Sequence, residues 1–216
     1  MEEKDIQNEL ASIRSIMERS SKFISLSGLS GILAGIYALI GAGVVAYFQP
    51  SLLNPYSASS YRVTGQIGSI WIRVESTFVI ELASIAGAVL ISSIVTAIIL
   101  SSRQAKRKGQ QMWGKISQTL LFHMAIPLVT GGLLILILLS RGYYGIVTPC
   151  TLIFYGLSLI SASNFTFSDV KYLGILEIIL GLIAACLPGY GLLFWAIGFG
   201  VLHIIYGGMM YLKYDK

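Results

Sequence analysis

Two stretches hold the residues most able to do chemistry, LGILEIILG at 173–181 and FGVLHIIYG at 199–207. Laid side by side they share glycine, leucine, two isoleucines and glycine, and Glu177 stands in one where His203 stands in the other. An acid and an imidazole at matched positions can pair as ions, share a proton, hold a small polar ligand or ligate a metal.

Glu177 is the only charge in an apolar run of more than thirty residues. A lone carboxylate in hydrocarbon costs at least ~2.5 kcal/mol on insertion scales, so it must be neutral, hydrated or paired. The turn PGYG at 188–191 separates the two stretches, and with Tyr190 as its centre Glu177 lies thirteen residues before and His203 thirteen after. At ~1.5 Å per residue both rise to one height on opposite arms of an antiparallel hairpin, and the two side chains are predicted to meet. Gly174 and Gly181 flank Glu177 at minus three and plus four, as Gly200 and Gly207 flank His203. Each polar residue therefore sits on a stripe of small residues suited to close helix packing.

His123 is a third candidate for the site. Counted inward from Lys171, Lys115 and Lys213, residues Glu177, His123 and His203 lie ~9, ~12 and ~15 Å deep by helix rise. Three uses of the cluster stay open: a structural pair fixing the last hairpin, a site for a proton, ion or small ligand, and a metal centre. The last is the weakest, because the three residues come from separate helices without an HxxxH or ExxH spacing. Glu81 belongs elsewhere, to a second polar cluster with Ser76, Thr77 and Ser84 near the opposite end of the bundle.

The elements that must position these residues are membrane spans. Of 216 residues 55% are hydrophobic and 12% charged, a composition far outside that of soluble domains. Crossing a ~30 Å hydrocarbon layer takes about 20 helical residues. Stretches of that kind fall near 24–47, 77–100, 117–139, 145–163, 171–187 and 191–211. The chain is expected to be an all-α polytopic protein with six transmembrane helices over 23–216. Twelve Lys and Arg fall on one side and three on the other, which by the positive-inside rule predicts N-in/C-in. The polar start MEEKDIQNEL gives no sign of a cleavable signal peptide.

Residues 1–22 place Ile6, Leu10, Ile13 and Met17 on one helical stripe with charges off it, predicting an amphipathic cytoplasmic helix on the inner leaflet or under the bundle. Gly31 and Gly35 form a small-xxx-small pair in the first span; this suits packing within the chain first and a homo-oligomer second. The external segment 48–74 carries Tyr56, Tyr61 and Trp71 as interface anchors, and SSRQAKRKGQQMWGK reads as a positive-inside anchor that favours anionic lipid over nucleic acid. Pro127 lacks the N–H that would bond the His123 carbonyl, so a kink is predicted there. In SNFTFSDVK, Thr166 or Ser168 is the expected N-cap with Asp169 in the first turn. Cys150 and Cys186 are expected to be packing residues.

The stretches MERSSKFISLSGLSG, YGLSLISASNFTFSDVKYLGILEIILGL and FWAIGFGVLHIIYGGMMYLKY resemble an uncharacterised family of small bacterial six-span membrane proteins. The resemblance covers about half of the chain and implies a multi-pass protein of the bacterial inner membrane, in the company of a small winged-helix regulator. It transfers no activity and no catalytic residue. No nucleophile motif, phosphate loop or paired-aspartate signature accompanies it, so no cofactor is expected. The expected function is non-enzymatic, the binding or passage of a small ligand, ion or proton at an intramembrane polar cluster. The alternative is a structural or regulatory protein whose N-terminal helix and basic loop engage a cytoplasmic partner or membrane lipids.

Overall fold

The computed structural model describes residues 26–53, 76–107, 109 and 113–215. The proposed amphipathic helix at 1–22 and the anchors Tyr56, Tyr61 and Trp71 lie outside the described residues. Within them the chain is all-helical: α1 (Gly28–Phe48), α2 (Ser76–Arg107), α3 (Lys115–Ser140), α4 (Val147–Ser163), α5 (Val170–Cys186) and α6 (Gly191–Tyr214). Short 3-10 turns at Pro50–Leu53 and Tyr144–Ile146 follow α1 and lead into α4. Every one of these helices is apolar enough to leave no other economical backbone geometry in lipid, since a helix satisfies its amide groups internally.

Five helices are long and apolar enough to cross a membrane, the mark of a multi-pass membrane protein. The exception is α5, at 17 residues. The apolar stretch of α2 has no buried residue, and that of α3 almost none. Such continuous apolar surface is unusual for a protein in water, whereas hydrocarbon tails cover it at no cost.

The helices pack as a series. The most extensive pairings are α4 with α5 and α1 with α6, followed by α3 with α4, then α1 with α2. Glycines set the first two. A Cβ on Gly156 of α4 would stand 2.5 Å from the Gly174 carbonyl oxygen, and one on Gly174 would stand 2.7 Å from the Gly156 oxygen. In the other pair, Cβ atoms on Gly35 and Gly207 would stand 2.6 Å from the Gly200 oxygen and 2.5 Å from the Ile32 nitrogen. Gly31 likewise meets Gly207, and Gly181 meets Ile153.

The two glycine stripes of the last hairpin therefore do not face one another. Gly174 and Gly181 turn toward α4 while Gly200 and Gly207 turn toward α1. The backbones of α5 and α6 approach only sparsely, and large side chains span the gap between them. Both stripes serve close helix packing, as their spacing predicts, each against a different neighbour.

One end of the bundle is tied by polar contacts from the last residues of the chain. The Asp215 carboxylate accepts the Gly28 N–H at 2.8 Å and the Ser27 hydroxyl at 3.1 Å, and its other oxygen accepts Gln104 Nε2 at 2.6 Å. Asp215 thus caps α1 from a distance in sequence of 187 residues, satisfying an amide that the helix itself leaves open. Lys213 Nζ and the Tyr214 hydroxyl donate to Asp169 at 2.6 and 3.0 Å. Asp169 is accordingly the residue preceding α5, with its carboxylate turned to α6 and no capping bond to its own helix. α3 runs unbroken through Pro127, and beside the carbonyl that the proline leaves open, Ser158 of α4 donates to the Met124 carbonyl at 3.2 Å. Both cysteines are free thiols.

Enlarging Gly156 tests the glycine contact. Gly156→Val is expected to cost about 1–3 kcal/mol in thermal unfolding in detergent, as overpacked sites do. Gly43→Val, where a Cβ meets nothing within 4 Å, should leave the transition in place.

Candidate functional site

Glu177 is fully buried, with no exposed surface, and His203 retains 7%. Their contact crosses from α5 to α6, Glu177 Oε1 standing 3.5 Å from His203 Nδ1. That pairing is the one the matched heights on the hairpin predict.

Three other residues complete the cluster. Helix α6 opens into π geometry over Ala196–Leu202, a widening that often accompanies functional positions. The Gly198 carbonyl inside that segment lies 2.9 Å from His203 Nδ1. A carbonyl only accepts, so Nδ1 carries a hydrogen and donates it. On the other side of the ring, Nε2 lies 2.8 Å from the hydroxyl of Tyr155 on α4. Gly198 is also needed for space, because a Cβ there would lie 2.6 Å from Glu177 Oε2 and 2.5 Å from Leu152. Phe199 packs beside both rings, 5.1 Å from Tyr155 and 6.0 Å from His203 between centroids.

This arrangement accommodates His203 in two charge states with both ring nitrogens bonded. In the neutral ring Tyr155 donates its hydroxyl hydrogen to Nε2. In the cation Nε2–H donates to the Tyr155 oxygen, which frees the phenolic hydrogen for another acceptor. The Glu177 carboxyl faces the imidazole in both states, yet neither of its oxygens has a hydrogen-bond partner. Leaving a buried polar atom unpaired costs about 1–3 kcal/mol. The site is thus a buried acid–imidazole–phenol chain.

His123 does not join it. Its ring is exposed on α3 and stacks on Phe165 at 4.7 Å between centroids, and α3 packs on α4 alone among the spans. Depth alone made it a companion of the pair; the helix order places it on the outside. Glu81 is exposed near the far end of α2, where it lines a cleft of about 220 Å³ with Val45, Phe48 and Gln49. Ser84 donates to the Glu81 carbonyl at 2.7 Å. Among the described residues no group of three His, Cys, Asp or Glu is placed to hold a metal ion.

Tyr155 and Gly198 are the members that sequence reading misses. Tyr155 lies in YGLSLIS, with no acidic or basic neighbour to single it out. Gly198 sits in AIGFGVL, two residues before the glycine that matched the repeat.

No protein-family model, curated protein or solved structure matches this chain. The functional reading accordingly rests on the site.

Outside the membrane-spanning segments, Lys213's hydrogen bond holds the Asp169 carboxyl below its ordinary range; burial opposes it and the Tyr214 hydrogen bond assists. Because the folded value is the lower one, this contact contributes stability above an unfolded pKa of about 3.9 and loses it as pH falls through the folded value. The protection factor of the amides in the last turn of α6 should therefore fall as pH drops below about 4. Asp169→Asn should abolish that pH dependence.

Proposed function

We propose that this chain is a non-enzymatic, six-span protein of the bacterial inner membrane, N-in/C-in, whose working centre holds and exchanges one proton at Glu177 and His203. The observation that carries this reading is the fully buried Glu177, with both oxygens unpartnered and 3.5 Å from an imidazole that is bonded on both nitrogens.

Several features support a proton over a larger occupant. A side chain on Gly198 would meet both Glu177 Oε2 and Leu152, so the space beside the carboxyl is narrow and the fitting guest is the smallest one. The neutral acid with neutral imidazole and the carboxylate with imidazolium hold the same total of protons, the imidazolium carrying its extra one on Nε2 against Tyr155, and both have zero net charge. Either form avoids the cost of a lone ion in hydrocarbon. A metal is disfavoured because the lone pair it would need on Nε2 faces the Tyr155 hydroxyl at 2.8 Å.

Orientation and location follow the twelve-to-three split of basic residues and the inner-membrane setting implied by the family resemblance. The fifth span, α5, is short for a bilayer but within reach of a helix standing upright.

Infrared titration of the protein in lipid vesicles tests the proposal. A protonated-carboxyl band should titrate in the wild type, vanish in Glu177→Gln and change its midpoint in His203→Ala. A band that survives Glu177→Gln, or a pair that shows no titration while Glu177→Gln lowers only thermal stability, would make the contact a structural tie and sink the proton reading.

A further inference from the structure

The Nδ1 hydrogen of His203 faces two acceptors. It lies on the Gly198 carbonyl at 2.9 Å, while Glu177 Oε1 stands at 3.5 Å. Among the described residues neither Glu177 oxygen has a hydrogen-bond partner, so the imidazole is the polar group set to satisfy that carboxyl. The acceptor that now holds the hydrogen belongs to the irregular stretch of α6. Gly198 sits inside the π segment Ala196–Leu202, with α geometry on both sides, over Gly191–Trp195 and His203–Tyr214. A π turn closes residue i on i+5 where an α turn closes i on i+4, so the segment holds one residue that a regular helix would not fit. In α geometry the Gly198 carbonyl would accept the Leu202 N–H. Little packing holds the outer piece of α6: Gly191–Trp195 is five residues long and buries Phe194 alone. The turn before it carries Gly189 at φ 102°, a conformation open to glycine.

We propose that the Nδ1 hydrogen of His203 is a latch on α6: held by the Gly198 carbonyl it keeps the π segment, and drawn to an ionised Glu177 it releases that segment to α geometry and turns the outer end of the helix. The inference rests on the proton reading of the pair and states what loss of that proton does to the bundle. While Glu177 is protonated, the carbonyl keeps the hydrogen, as in the geometry seen. Once Glu177 ionises, a buried anion competes for the same hydrogen, and a hydrogen bond to a charged acceptor is roughly twice as strong as a neutral one. The ring then closes on Oε1, and the Gly198 carbonyl takes the Leu202 N–H in its place. The surplus residue passes into the turn at 187–190, so Gly191–Trp195 rotates by about 100° and shifts by about 1.5 Å. No covalent bond is made or broken at the latch, because Nδ1 keeps its hydrogen throughout; the proton that leaves is that of Glu177. From α4 Tyr155 faces the ring, Tyr206 lies one turn beyond His203 on α6, and α1 meets the π segment with Gly35 and Leu39. Phenols ionise only in alkali, so near neutral pH the change follows Glu177 and His203.

Pulsed spin-label distances in lipid vesicles, read beside the infrared titration, test the latch. Cys150→Ser and Cys186→Ser remove the free thiols, and Leu193→Cys in the outer piece of α6 is labelled together with Leu136→Cys on α3, both exposed positions. A control pair uses Met209→Cys, exposed on the inner part of α6, with the same α3 label. The Leu193–Leu136 distance should change by about 5–8 Å, the arc a side chain sweeps in such a rotation, with the pH midpoint of the Glu177 carboxyl band. The Met209–Leu136 distance should stay fixed, and Glu177→Gln, which never ionises, should hold the acid-side Leu193–Leu136 distance at every pH. A carboxyl band that titrates without a change in the Leu193–Leu136 distance, a change that persists in Glu177→Gln, or an equal change in the control pair would overturn the latch while leaving the proton site standing. If Glu177→Gln does not fold, His203→Ala decides, since without the ring the distance must lose its pH dependence. A wild-type protein with no titrating carboxyl band fails one stage earlier and overturns both proposals.

Discussion

A carboxyl group with no access to water sets the terms for the core of this bundle. Glu177 is fully buried on α5, a helix of only 17 residues, and hydrocarbon offers it no compensation. The helices around it are arranged so that one imidazole, held on both sides, faces it across the gap between α5 and α6. That demand explains local features that would otherwise look like defects. Gly198 lacks a side chain where the carboxyl needs room, and the π segment sets the Gly198 carbonyl against His203 Nδ1.

Packing elsewhere follows from the same layout. α5 commits its small residues to α4, and α6 commits its own to α1. The gap left between α5 and α6 holds Glu177, His203 and Tyr155, which reaches in from α4. Close backbone contact and a polar centre are thus separated in space, as they must be. Glycine contacts bring helices too near each other for a Glu, a His and a Tyr to fit between them. At the basic end, polar groups at the chain terminus take over from packing: Asp215 caps α1 and grips α2 through Gln104, while Lys213 and Tyr214 hold Asp169.

The outer helices show the reverse economy. α2 and α3 bury little and present long apolar faces. Dispersion and hydrophobic burial against protein therefore contribute least there, and lipid takes the place of protein neighbours. His123 and Glu81 sit on these outer helices, which is why neither reaches the centre despite a suitable depth or charge.

Sequence alone determined the helical class, five apolar helices with nearly the bounds seen, and the level meeting of Glu177 with His203. Hydropathy and helix rise are one-dimensional quantities, and spans and heights are one-dimensional properties. Tertiary structure alone decided which helix each glycine stripe faces, that Tyr155 joins the pair, that His123 does not, and that Asp169 and Asp215 tie α6 to α5 and α1. Those are questions of rotation about a helix axis and of neighbour order. In spans apolar on every side, the residue pattern carries almost no moment to show which face turns inward, so only the packed bundle could answer them.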